Sequence, residues 1–176
     1  KVFPLRISRG LSARSENLYV MIEEDGFAGL GELAGTNAPE GENCDTGLAD
    51  LERLLASGID GLSVHEVYRR GCELGIRPRA QAAFDMALWD LLAKRAGLPL
   101  YRLLGLPLPT VPTSVTIGIE TPEVVRERVP IILRKSGAKH LKIKLGSPDG
   151  TEADRAMFEM VREVAKPFGV SLRVDA

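Results

Sequence analysis

The sequence predicts an α/β chain in two parts, a small α+β domain over residues 1–106 and the start of a parallel βα assembly over 107–176. Three observations predict it. Two apolar strands flank the dipeptide Asp25-Gly26. Three helix-periodic segments then follow between Asp45 and Ala96. From Thr113 to Asp175 strand and helix patterns alternate with short loops, and such alternation means parallel strands with helical crossovers.

In the first part, Asn17 to Glu23 reads as a strand and Phe27 to Leu33 as its hairpin partner, because Asp-Gly is a tight-turn signal. Ser8 to Ser15, with Arg9 and Arg14, and the Gly-, Asn- and Glu-rich stretch Ala34 to Cys44 carry no periodicity and read as loops. Asp45 to Ala56 is a short helix with Leu48, Leu51, Leu54 and Leu55 expected inward. Ser63 caps a second helix to about Leu74. The third, Arg79 to Ala96, carries Phe84, Ala87, Leu88 and Leu91 on one stripe and is closed by Gly97 and Pro99. Pro107 to Pro112 reads as a linker.

In the second part, Thr113 to Ile119 is β-rich. Thr121-Pro122-Glu123 suits a helix start, with an N-cap threonine, a first-turn proline and an acid at the positive dipole end. That helix is expected to run to about Lys135 and stop at Gly137, with Pro130 kinking or shortening it. Leu141 to Leu145 alternates strictly, placing Lys142 and Lys144 on the face opposite the apolar residues. Ser147 to Gly150 is a loop, Thr151 to Lys166 an amphipathic helix with Met157, Val161, Val164 and Ala165 on one side, and Gly169 its end. Ser171 to Asp175 is a further strand, with Arg173 and Asp175 on the face away from the apolar residues. A doubly wound sheet and a (β/α)₈ barrel both fit this order. No glycine-rich phosphate loop follows the first strand, which counts against the dinucleotide-binding version.

The lysine pair and Asp175 carry the chemistry. An edge strand blunted by lysines is the plain alternative for Lys142 and Lys144, and a helix N-cap is the plain alternative for Asp175. On a packed interior face, two ammonium groups demand anions, and each lowers the other's proton affinity. A lysine so placed serves as a general base near neutral pH. Asp175 stands at the carboxyl end of its strand, where parallel α/β folds build their sites, and a carboxylate there suits a hard cation such as Mg²⁺.

Composition excludes other classes. Apolar residues make up 44% of the chain, charged residues 27%, and the net charge is −1. Near-zero charge argues against nucleic acid or an anionic membrane as partner. No apolar run approaches the roughly twenty residues of a membrane span. Cys44 and Cys72 form neither a disulfide framework nor a metal motif. The reading is a cytoplasmic enzyme.

With Lys142-Ile143-Lys144, then Arg173-Val174-Asp175-Ala176 about thirty residues on, then Ala83 to Gly105 and Phe27 to Glu32, the chain resembles the enolase superfamily, within it the muconate lactonizing enzyme subgroup. Phe3 to Gly10 resembles dipeptide epimerases of the L-Ala-D/L-Glu type. The resemblance implies a capping domain over 1–106, with an additional strand before Phe3, and the first three βα units of a (β/α)₈ TIM-type barrel over 107–176. It implies a Mg²⁺-dependent racemase or epimerase that removes the α-proton of a carboxylate substrate, a dipeptide in the first instance, through an enediolate, in a homo-oligomer. It assigns Lys144 as the base, Lys142 as its neighbouring cation and carboxylate holder, and Asp175 as the first of three metal carboxylates. It places Thr116 and Arg9 against the substrate, and the two loops over the barrel mouth. It places the other metal ligands and the opposing lysine on later strands, so the chain reads as the front part of a longer protein that does not complete a catalytic cycle alone. Cycloisomerisation or o-succinylbenzoate synthesis in the same subgroup, a non-catalytic relative, and a Schiff-base barrel enzyme are the alternatives. Trp89 is expected in interdomain packing, Asp90 and Glu32 in structural bonds, and His65 and His140 in surface or supporting roles.

Overall fold

The structure, a computed structural model, describes residues 3–8, 10–35, 41–108 and 110–176. Its contacts form two compact units, Ser15–Pro109 and a second joining Lys1–Arg14 to Thr110–Ala176. The reading of 1–106 as one continuous domain does not anticipate where the first residues go. Leu5–Ile7 (β1) and Gly10–Ser12 (β2) pair as a small antiparallel hairpin, the second strand falling in the stretch 8–15 expected as loop. Its partner explains it, because the Ile119 N–H donates to the Arg6 carbonyl at 2.9 Å, so β1 lies against residues that follow a later strand.

The unit Ser15–Pro109 is built on the hairpin Asn17–Glu24 (β3) and Phe27–Ala34 (β4). Asp25 and Gly26 both take positive φ, 51° and 80°, the conformation a two-residue primed turn requires. Helices Cys44–Ala56 (α1), Val64–Glu73 (α2) and Pro78–Arg95 (α3) follow, with a single turn at Leu100–Leu103 (α4) that the sequence reading did not include. Ser63 closes a capping box with Glu66, and Asn43 closes another with Thr46.

Helix α3 packs against β4 almost backbone to backbone. A Cβ added to Gly31 would stand 1.8 Å from the Ala83 carbonyl oxygen, and one on Gly29 2.1 Å from that of Ala87. Ala80, Ala83 and Ala87 are wholly buried there. On α1, Leu51 and Leu54 are buried as expected, but Leu48 and Leu55 are 48% and 54% exposed. Gly47 and Asp50 share the inward stripe instead, because the helical period selects 47, 50, 51 and 54. Asp50 is 1% exposed; its Oδ2 accepts from Arg77 Nε at 2.7 Å and from the Arg77 backbone N–H at 3.1 Å. It thereby supplies the start of α3, which has no side-chain cap of its own.

In the other unit, strands Ser114–Ile117 (β5), His140–Lys144 (β6) and Ser171–Asp175 (β7) form a parallel sheet in consecutive order. Helix Pro122–Ser136 (α5) joins the first two and Thr151–Ala165 (α6) the last two, the latter followed by a 3₁₀ turn, Lys166–Phe168, ending at Gly169. Gly137 ends α5 in the left-handed conformation, φ 62°. Pro130 does not shorten α5. Val125, Val129 and Leu133 of α5 and Met157, Val161 and Ala165 of α6 bury one sheet face with Leu141 and Ile143. Each large apolar side chain so buried contributes about 1.5–3 kcal/mol. Both helices cover the same face and the strand order is consecutive, an arrangement shared by the start of a (β/α)₈ barrel and the first half of a doubly wound sheet. Among the described residues, no helix is long and apolar enough to cross a membrane.

Candidate active site

The opposite face of the sheet is polar, and register decides what meets on it. Ser114, His140 and Ser171 form one row, and Thr116, Lys142 and Arg173 the next. Lys144 pairs with Asp175 in the row at the carboxyl end of the strands. Strict alternation puts Leu141 and Ile143, both fully buried, under the helices and leaves the lysines on the other side. β6 is the central strand, so the lysines do not blunt an edge. Asp175 is the last residue of β7.

The three charged groups converge. Lys144 Nζ lies 2.8 Å and Lys142 Nζ 3.3 Å from the same carboxylate oxygen, Asp175 Oδ2. Hydrogen bonds from Lys144 and then Lys142, with their charges, hold the Asp175 carboxyl below the usual carboxylate range. The side chains are 34%, 25% and 37% exposed for Lys142, Lys144 and Asp175, the half-open inner face expected of three strands alone.

Thr116 is brought beside Lys142 by register. Arg9 lies outside the described residues, as do residues 36–40 of the loop expected between Ala34 and Cys44. Asp175 offers a hard carboxylate donor, and the nearest contact of both lysines is with the same oxygen, Oδ2. Among the described residues, no three His, Cys, Asp or Glu side chains gather closely enough to hold a metal themselves. A carboxylate oxygen suits Mg²⁺, which takes oxygen ligands.

Other residues singled out in the sequence make contacts of their own. Asp90 accepts from the Leu30 N–H at 2.8 Å and from Lys94 Nζ at 2.7 Å, as a structural partner should. Glu32 accepts from Asn17 Nδ2 across the hairpin. His140 Nδ1 meets Ser171 Oγ on the polar face. Trp89 meets His65 edge-on at 5.6 Å, and burial raises the nearby Asp85 carboxyl. Sequence reasoning missed Asp154, which accepts from the Gly146 N–H at 2.9 Å and the Ser147 N–H at 3.1 Å, directly after the lysine strand. An acid in the first turn of a helix was its visible signal.

The family described as mandelate racemase / muconate lactonizing enzyme, N-terminal domain, matches residues 1–105. A hydrophobic dipeptide epimerase of Roseobacter litoralis is 52% identical over 176 residues, covering all of this chain and 51% of that protein. The crystal structure of a dipeptide epimerase from Enterococcus faecalis V583, complexed with Mg and the dipeptide L-Leu-L-Tyr, superposes with a TM-score of 0.83 at 32% identity, over 98% of this chain and 49% of that one. A substrate-liganded L-Ala-D/L-Glu epimerase from Bacillus subtilis gives a TM-score of 0.80 at 27% identity, over 99% and 49%. The chain spans about half the length of the curated relatives it matches.

Proposed function

We propose, from the premise that this chain belongs to the mandelate racemase / muconate lactonizing enzyme family of the enolase superfamily, that the protein carrying it is a Mg²⁺-dependent epimerase of dipeptides, hydrophobic ones first. The single observation that carries the reading is the meeting of Lys142, Lys144 and Asp175 on one polar face at the carboxyl ends of parallel strands. Relatives named as dipeptide epimerases support the substrate class. Likeness over 98% of this chain to a solved dipeptide epimerase supports reading 107–176 as the first staves of a (β/α)₈ barrel, with 1–106 as its capping domain.

In this reading Lys144 takes the proton from the carbon next to the substrate's carboxylate. Lys142 keeps a second positive charge beside it and holds that carboxylate, and Thr116, its register neighbour, touches the substrate. Asp175 is the residue of this chain that would hold the divalent cation. Such a cation, when bound, supplies positive charge against the negative charge that builds on the carboxylate oxygens. Asp175 also fixes both ammonium groups at one end of the sheet, which pre-orients the base.

The test is deuterium exchange at the α-carbon. The full-length protein, offered a panel of L,L-dipeptides in D₂O, should wash deuterium into the epimerised residue with Mg²⁺ and stop when the metal is chelated. No exchange with any dipeptide or N-acylamino acid would overturn the reading. The same panel extended to cycloisomerase and o-succinylbenzoate synthase substrates separates those activities.

A further inference from the structure

Resting on the reading of Lys144 as the base, we propose that Asp154 is a positioning residue: its carboxylate clamps the chain just beyond Lys144 and so fixes where that side chain starts its reach. Lys144 ends β6. The next residue extends the ladder by one bond, the Leu145 N–H donating to the Asp175 carbonyl at 3.0 Å. The chain then leaves the sheet at Gly146, whose φ of 96° is one that residues with a Cβ avoid. At that point Asp154 Oδ2 accepts from the Gly146 N–H at 2.9 Å. The Ser147 N–H is shared between Oδ1 at 3.1 Å and Oδ2 at 3.3 Å.

The clamp is anchored on something rigid. Asp154 belongs to the first turn of α6, and that helix is locked to the sheet through Met157, Val161 and Ala165. A carboxylate accepting from successive backbone amides makes a strong, directional tie. On the other side the loop is hemmed in, because a Cβ added to Gly146 would stand 3.1 Å from Ser8 Cβ. Asp175 holds the far end of the Lys144 side chain, and the clamp holds the backbone from which it starts, so both ends of the base's reach are set. A misplacement of about 1 Å can lower a rate roughly a hundredfold.

The experiment uses full-length protein carrying Asp154→Ala and, as the conservative variant, Asp154→Asn, which keeps one acceptor oxygen. Amide hydrogen exchange reads the clamp, and α-proton exchange measured separately from each epimer of the substrate reads the base. Asp154→Ala should speed exchange at the Gly146 and Ser147 amides while leaving the α6 core protected. It should lower kcat about ten- to a hundredfold from one epimer only, with KM little changed. Asp154→Asn should recover much of both. Unchanged protection at Gly146 and Ser147 would overturn the clamp whatever the activity. Equal losses from both epimers, or a loss matched by general unfolding in both variants, would reduce Asp154 to scaffold and overturn the inference. A wild-type protein without α-proton exchange sinks the functional reading instead, and the amide measurement still decides the clamp.

Discussion

Lys144 Nζ lies 2.8 Å from Oδ2 of Asp175, its register partner on the next strand, and Lys142 reaches the same oxygen at 3.3 Å. The two lysines proposed as base and neighbouring cation and the proposed metal ligand are thus held by backbone register, which no surface loop could do as rigidly.

If Asp175 is a metal ligand, Asp175→Asn in the full-length protein should weaken Mg²⁺ binding in calorimetry beyond the roughly 10–100-fold lost on changing an outer partner of a ligand. The fold should be little affected, because the side chain is 37% exposed. Unchanged affinity would remove Asp175 from the metal site.

Leu141 anchors the face opposite the lysines and is fully buried between the helices. Leu141→Ala should cost about 2–5 kcal/mol in chemical denaturation. A cost comparable to that of an exposed leucine would contradict the one-sided packing of the sheet.

The close approach of α3 to β4 makes Gly31 intolerant of any side chain, since a Cβ would stand 1.8 Å from a backbone oxygen. Overpacking of this kind costs about 1–3 kcal/mol, and backbone that cannot retreat puts Gly31→Ala at the upper end. Thermal unfolding checks it, with Gly26→Ala, at a position open in space, as a comparison that strains only the turn.

Asp50 links stability to pH. Burial pushes its carboxyl up, but hydrogen bonds from the Arg77 side chain and backbone, with the charges of Arg77 and Arg53, outweigh burial and hold it below the ordinary carboxylate value. Its folded-state proton affinity is therefore lower than in the unfolded chain, where the pKa is about 3.9. The stabilisation is fully present above that value and is lost as pH falls through the folded pKa. Asp50→Asn should destabilise the protein at neutral pH by about 1.5–3 kcal/mol, the range for hydrogen bonds to charged groups, and flatten the acid limb of its stability curve. An unaltered acid limb would show that Asp50 does not carry this linkage.

Much of this was legible in the sequence because alternation and capping are local. The faces of Leu141 to Leu145, the Asp25-Gly26 turn, the Ser63 cap and the Gly137 stop need only neighbouring residues to be read, and the structure shows each of them. The convergence of Lys144 on Asp175 was readable too, because parallel strands in βα order bring their carboxyl ends together. What escaped depends on partners distant in sequence. The β1–β2 hairpin takes its place from Ile119, more than a hundred residues away. Leu48 and Leu55 are as apolar as Leu51 and Leu54, and only the position of Gly47 and Asp50 on the inward stripe turns them out. Asp154 looked like an ordinary first-turn acid until its target amides were in view.

The most direct test of the account replaces the base and tries to restore it. Lys144→Ala in the full-length protein should lower α-proton exchange from the one epimer of a dipeptide substrate whose proton it takes by about 10²–10⁴-fold, the contribution of a positioned general base. Added small primary amines should then recover part of it. Near-wild-type exchange from both epimers in Lys144→Ala would show that the amine facing Asp175 is not the group that moves the proton.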